Sequence, residues 1–126
     1  CLPGEFFKGN AFEYLAWAKK REKLFDIIVL DPPSFARFKG FSFNVQRDLD
    51  SLVEASAAVL APDGFLMVSS NYSAFRLENF AQKALNNVKK ICGNAQIIWK
   101  RSQSADFVGT GLTKDSSLCA VLIQNL

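Results

Sequence analysis

The segment Phe25-Asp26-Ile27-Ile28-Val29-Leu30-Asp31-Pro32-Pro33-Ser34-Phe35 constrains this chain more than any other. Its aliphatic run does not alternate with polar residues, the pattern of a strand buried on both faces inside a parallel α/β sheet. Two consecutive prolines then end the pairing, because each lacks a backbone N–H and fixes φ. The chain must leave the sheet at its carboxyl edge, holding Asp31 and the carbonyls of Pro32 and Pro33 in the crevice where open α/β sheets bind ligands. Asp-Pro is also ordinary turn punctuation, so Asp31 by itself is as compatible with a turn cap as with a ligand site.

With 126 residues, 49% of them hydrophobic, the chain can bury one core, and residues 1–126 are read as a single domain. No apolar run reaches the roughly 18 to 20 residues of a membrane span, and the amino terminus lacks a basic segment ahead of an apolar one. Cys1, Cys92 and Cys119 are scattered, with no Cys-x-x-Cys and no histidine anywhere. That set argues against a metal site, a disulfide framework and an imidazole base, and it fits a reducing, cytoplasmic compartment. A net charge of +3 is too small to identify a nucleic-acid binder. The placement of the cations says more: Arg37, Lys39 and Arg47 are interleaved with Phe35, Phe38, Phe41 and Phe43, and Lys100 and Arg101 close a later strand. Cations beside aromatic rings can hold phosphates while bases stack.

Along the chain, Glu5 to Lys8 reads as a short strand, and Asn10 as the N-cap of a helix to about Lys20 with Phe12, Leu15 and Ala18 on its apolar face. The Asp-Pro-Pro strand and a Phe-rich loop follow. Leu49, Leu52, Val53, Ser56, Val59 and Leu60 keep helical spacing up to the turn Ala61-Pro62-Asp63-Gly64, and Phe65 to Ser69 forms another buried strand. Ser73 is the expected cap of a third helix with a stripe from Leu77 to Ile91, stopped by Gly93. Ala95 to Trp99 is a strand, Arg101 to Asp115 a polar loop and Leu118 to Ile123 a last strand. Alternating strands and helices imply a mostly parallel sheet, and the final two strands, with no helix between them, an antiparallel pair.

Asp31-Pro32-Pro33-Ser34-Phe35 resembles the fourth motif of class I S-adenosylmethionine-dependent methyltransferases that act on nucleobases. Phe43-Asn44-Val45-Gln46-Arg47-Asp48, Ser69-Ser70-Asn71, Phe75-Arg76 and Gln103-Ser104-Ala105-Asp106-Phe107 together resemble the guanine-N7 methyltransferase domain that modifies bacterial large-subunit ribosomal RNA. The resemblance implies an α/β, Rossmann-like fold of which this chain carries the carboxyl-terminal portion, about strands 3 to 7, with the last strand reversed and inserted between the fifth and sixth. It also implies a partial domain, truncated at its amino terminus, that is inactive as an isolated fragment. The family's Gly-x-Gly-x-Gly loop does not precede the Asp-Pro-Pro strand, and Gly109-Thr110-Gly111 lies too late in the chain to replace it.

The resemblance implies S-adenosylmethionine as cofactor and ribosomal RNA as partner, with no metal. Asp31, Pro32, Pro33 and Ser34 are its catalytic positions. Asn10, Ala11 and Phe12, with Asp31, fall where the family holds the cofactor's adenine, although Asn10 replaces the usual acid. Its side-chain carbonyl can still accept from an amino group, without the charge. Phe35, Arg37, Lys39, Arg47, Asn71 and Arg101 are the candidate RNA contacts, Asn71 being preferred as a donor to guanine O6, since N7 and O6 are both acceptors. Guanine N7 carries a lone pair and no proton, so orientation and a matched field suffice and no general base is required.

The related cytosine-C5 family shares Asp-Pro-Pro-Ser-Phe but attacks through a cysteine after its fifth strand. Here Ser69, Ser70 and Asn71 stand in that region, which counts against cytosine C5. Methylation of adenine N6 or another exocyclic amine also uses Asp-Pro-Pro and remains an alternative. A non-catalytic module of methyltransferase shape that binds RNA or a partner is a further one.

Overall fold

Asn10 starts the first helix as expected: its side-chain Oδ1 accepts the N–H of Phe12 at 2.8 Å, and α1 runs Ala11–Lys20 with Leu15 and Ala18 buried. The computed structural model describes residues 4, 6–72, 74–102 and 118–126. Beyond α1 come β1 (Phe25–Leu30), β2 (Phe35–Phe38), β3 (Phe41–Asn44), α2 (Val45–Ala57), β4 (Leu60–Ser70), α3 (Leu77–Cys92), β5 (Ala95–Ser102) and β6 (Cys119–Asn125). No helix among the described residues is long and apolar enough to cross a membrane.

The main sheet has the order β1-β4-β6-β5, with β1 and β4 parallel and β6 antiparallel to both of its neighbours. This is the expected α/β arrangement with a reversed last strand inserted beside the penultimate one. Leu66, Val68, Val121 and Ile123 are buried in the two central strands, and Val53 and Val88 meet them from α2 and α3. Each such side chain contributes about 1.5–3 kcal/mol relative to exposure, so the central strand pair and the two helices over it anchor the fold.

Several boundaries differ from the sequence expectation. Residues 6–8 form no strand and do not join the free edge of β1, and Phe6 stands in solvent. The second helix ends at Ala57, not Ala61, because the N–H of Phe25 takes the Val59 carbonyl at 2.8 Å and draws Val59 and Leu60 into the sheet. Pro62-Asp63-Gly64 then forms an irregularity inside β4: Phe25 faces Leu60 but Ile27 faces Phe65, and Asp63 adopts φ 64°. The third helix has Arg76 at its N-cap with no side-chain bond, while the expected cap Ser73 lies outside the described residues. Gly93 stops α3 at φ 89°, as expected. β5 extends to Ser102, taking in Arg101 at the start of the predicted polar loop; residues 103–117, with Gln103–Phe107 and Gly109-Thr110-Gly111, lie outside the described residues.

Two corrections bear on the site. β1 is not buried on both faces: Ile28 and Leu30 turn toward the helices, but Ile27 and Val29 are 67% and 61% exposed. The aliphatic run is continuous, yet helices cover only one side of the sheet in the described chain. The Phe-rich segment is not a loop but a hairpin. β2 and β3 pair Phe35 with Asn44, Ala36 with Phe43, Arg37 with Ser42 and Phe38 with Phe41 around Lys39-Gly40. Both turn residues have positive φ, 44° and 80°, the condition for a tight type I′ connection.

Candidate functional site

At the carboxyl edge of the sheet, β1 ends at Leu30 and the prolines carry the chain out toward the hairpin, as the sequence required. A cavity of about 340 Å³ opens there. Asn10, Ala11 and Phe12 from the start of α1 line one side, and Leu30, Asp31, Pro32 and Pro33 another. Ala36, Phe38, Phe41 and Phe43 close it from the hairpin. Side chains directly opposite in an antiparallel ribbon share a face, so these four residues form one apolar surface turned to the cavity. Phe12 joins it, its ring 5.9 Å from that of Phe41 and 6.4 Å from that of Phe43. The cavity is thus an apolar slot with two polar side chains at its rim, Asn10 and Asp31.

Asp31 is exposed, and one oxygen is fixed: Ser69 Oγ donates to Asp31 Oδ1 at 3.0 Å and also reaches the Leu30 carbonyl at 3.4 Å. Ser69 is buried at the end of β4. Two residues on, the Asn71 side-chain Oδ1 accepts from Ser34 Oγ at 3.3 Å. The tail of β4 therefore braces the Asp-Pro-Pro-Ser turn at both ends. Ser70 Oγ accepts the Tyr72 N–H at 3.2 Å and Tyr72 Oη donates to Gln46 Oε1 at 3.2 Å, tying that tail to α2. Asn71 does not cap the following helix, which starts six residues later at Leu77. With its oxygen occupied by Ser34, its amide N–H groups remain as donors.

The structure brings together Asn10, Ala11, Phe12, Asp31, Pro32 and Pro33 around the slot; Ser34 follows Pro33 in the chain and is bonded to Asn71, but neither lines the cavity. Asn10 Oδ1 already accepts from Phe12 N–H, leaving one lone pair for a ligand. Phe35 is not a wall of the slot. It shares a face with Arg37, Ser42 and Asn44 on the opposite side of the hairpin, and Phe38, Phe41 and Phe43 provide the wall instead. Arg47 is held in the fold: its Nε and Nη2 donate to Asp48 at 3.0 and 2.8 Å, and Nη2 donates to the Ser42 carbonyl at 3.0 Å. The guanidinium, with the Asn44 N–H, keeps the Asp48 carboxyl below its ordinary value, and Asp48 in turn raises Arg47. Arg101 pairs with Ala120 on β5, the far edge strand, about 14 Å from β1 at the usual strand spacing, so it shares the sheet edge with Asp31 but not the slot.

Neither described cysteine faces the cavity. Cys92 Sγ lies 3.5 Å from the Ala57 carbonyl and Cys119 Sγ 3.7 Å from that of Phe75, and burial pushes both thiols up. Among the described residues no group of three or more His, Cys, Asp or Glu side chains converges to hold a metal. Sequence reasoning missed Ser69 as the partner of Asp31 and missed the slot-lining role of Phe38, Phe41 and Phe43. The period-two spacing Phe41-Ser42-Phe43, after a Gly-containing dipeptide, was the available signal for the hairpin.

No family model matches the chain. Over 71 residues, 56% of the chain, it is 39% identical to YwbD of Bacillus subtilis, which is named as a ribosomal RNA large subunit methyltransferase. Over 87 residues, 66% of the chain, it is 36% identical to ribosomal RNA large subunit methyltransferase K of Neisseria meningitidis. These matches cover 18% and 25% of the two relatives, so the chain spans a quarter or less of their length. Among solved structures, SMU.776, described as a methyltransferase and complexed with SAH, superimposes with a TM-score of 0.71 over 92% of this chain and 30% of that one, at 22% identity. The fold is therefore part of a Rossmann-like methyltransferase fold.

Proposed function

We propose that this chain is the substrate-side portion of an S-adenosylmethionine-dependent methyltransferase that modifies large-subunit ribosomal RNA, with guanine N7 as the acceptor atom. One observation carries the reading: an apolar slot of about 340 Å³ opens at the carboxyl edge of the sheet, where Asp-Pro-Pro-Ser is braced by Ser69 and Asn71. The relatives' names support ribosomal RNA as the substrate.

The residues present fit the adenosyl end of such a donor. Phe12 and the inner hairpin rings pack on one another into an apolar wall against which a planar base can lie, and Asn10 and Asp31 offer acceptors to its amino group. When bound, S-adenosylmethionine supplies an electrophilic methyl group on a sulfonium. The chain's own part is orientation. The rigid Pro32-Pro33 turn holds the chain at the slot, and Asn71, its oxygen engaged by Ser34, keeps amide donors that would hold guanine O6 and so orient N7. No proton leaves N7, so Asp31 acts as a fixed acceptor and not as a base. The packed cysteines give no support to a thiolate mechanism at cytosine C5.

The test is nucleoside mass spectrometry of ribosomal RNA after incubation with labelled donor. It is run on the chain alone and within the full reading frame that encodes it, each as wild type and Asp31→Ala. Label in 7-methylguanosine, lost in Asp31→Ala with the fold retained, is expected. Label in 5-methylcytidine or N6-methyladenosine replaces the acceptor, and tight RNA binding without any transfer replaces the enzyme by a binding module.

A further inference from the structure

The outer face of the β2–β3 hairpin has no part in the slot, yet it is not an ordinary solvated surface. Phe35 is 56% exposed, and the Arg37 guanidinium carbon lies 5.8 Å from its ring centroid. At the tip, where the two faces meet, Lys39 Nζ lies 5.4 Å from the centroid of Phe38, whose ring belongs to the slot face. The ribbon Phe35 to Asn44 contains no acidic residue, and among the described residues neither Arg37 nor Lys39 forms an ion pair. An exposed ring meant for a protein core would not carry one uncompensated cation over it and a second at the turn beside it; a phosphate-bearing ligand with flat bases matches both features.

The ribbon is also held stiffly. The Lys39-Gly40 turn sets its twist, the Val45 N–H donates to the Ser34 carbonyl at 3.0 Å, and Arg47 pins the Ser42 carbonyl. An exposed aromatic on a rigid support loses little conformational freedom when a base stacks on it. Phe35 also follows Pro33 and Ser34 directly, so a nucleotide stacked there lies beside the slot.

We propose that this outer face is a stacking platform for an unpaired nucleotide next to the methylated base, with the base lying on the exposed face of Phe35, Arg37 beside it and Lys39 meeting a backbone phosphate. The substrate is then a single-stranded or looped RNA segment, since a base within a duplex presents no free face. This rests on the methyl-transfer reading of the slot beside it.

The experiment is fluorescence anisotropy of the full chain with a labelled single-stranded RNA of about ten nucleotides, and with the same strand annealed to its complement. The single strand is expected to bind at least about tenfold more tightly than the duplex. Phe35→Ala is expected to weaken it about tenfold and Phe35→Tyr to restore it, while Arg37→Gln lowers the salt slope by about one. Circular dichroism checks each variant's fold. Equal binding of strand and duplex, unchanged binding in Phe35→Ala, or no saturable binding overturns the platform. A concentration-dependent dimer abolished by Phe35→Ala, without RNA binding, assigns the face to a second copy and overturns it likewise. Neither donor nor transfer enters this measurement. Lost stacking with methyl transfer intact removes the platform alone, and stacking without transfer removes the enzyme reading alone.

Discussion

Ser69 and Asp31 lie 38 residues apart, and the parallel pairing of β1 and β4 makes them neighbours. The bond between them provides a direct measure of how firmly the candidate site is built. Ser69 is buried, so Ser69→Ala removes a donor without opening a large cavity. Asp31 is exposed, and solvent replaces part of what is lost. A hydrogen bond to a charged group contributes about 1.5–3 kcal/mol, and a typical net bond about 0.5–1.5 kcal/mol; exposure places this one near 1 kcal/mol. Urea unfolding of wild type, Ser69→Ala, Asp31→Ala and the double variant closes a double-mutant cycle. The expected coupling is about 1 kcal/mol, with Ser69→Ala costing almost nothing once Asp31 is gone. Ser69→Thr keeps the hydroxyl and should behave as wild type. Additive losses, within about 0.3 kcal/mol, would show that Ser69 does not hold the carboxylate and that the brace has no energetic content.

The Asp48 carboxyl is held below its ordinary value by Arg47 and the Asn44 N–H, so its contribution is present above the ordinary carboxylate range and lost as pH falls through the lowered value. The melting temperature of Asp48→Asn should therefore lie below wild type near neutrality and converge on it in acid; a gap independent of pH refutes the pairing. Burial raises the Cys92 and Cys119 thiols, so both should alkylate more slowly than free cysteine at neutral pH, by mass spectrometry of iodoacetamide-treated protein, and Cys92→Ser should leave any methyl transfer unchanged. Labelling of Cys119 as fast as free cysteine contradicts this. At Gly64 a Cβ would fall 2.8 Å from the Ala61 carbonyl oxygen and 3.1 Å from that of Asp26, both backbone. Gly64→Ala should cost about 1–3 kcal/mol in urea unfolding, and a neutral result would mean that the β4 irregularity yields freely.

The sequence by itself determined the features whose causes lie within a few residues. Asn10 and Gly93 bound their helices because a side-chain acceptor and a residue free at positive φ act on the adjacent turn. The prolines after Asp31 force the exit from the sheet, since neither has an N–H to pair. The closing antiparallel pair follows from two strands with no helix between them. Only the tertiary structure decided what depends on register and on neighbours far along the chain. β1 reads as doubly buried, yet the burial of Ile27 and Val29 depends on what covers the second face of the sheet. Arg47 reads as a free cation in the sequence, but only the structure shows Asp48 and the Ser42 carbonyl engaging one edge of its guanidinium while the side chain stays largely exposed. The Phe-rich segment shows its composition in the sequence, but only the pairing of Ala36 with Phe43 sends Phe38, Phe41 and Phe43 to the slot and Phe35 and Arg37 to the opposite face. In a strand of period two, one step of register reverses every side chain, and that step is set by the pairing partner and not by the residue itself.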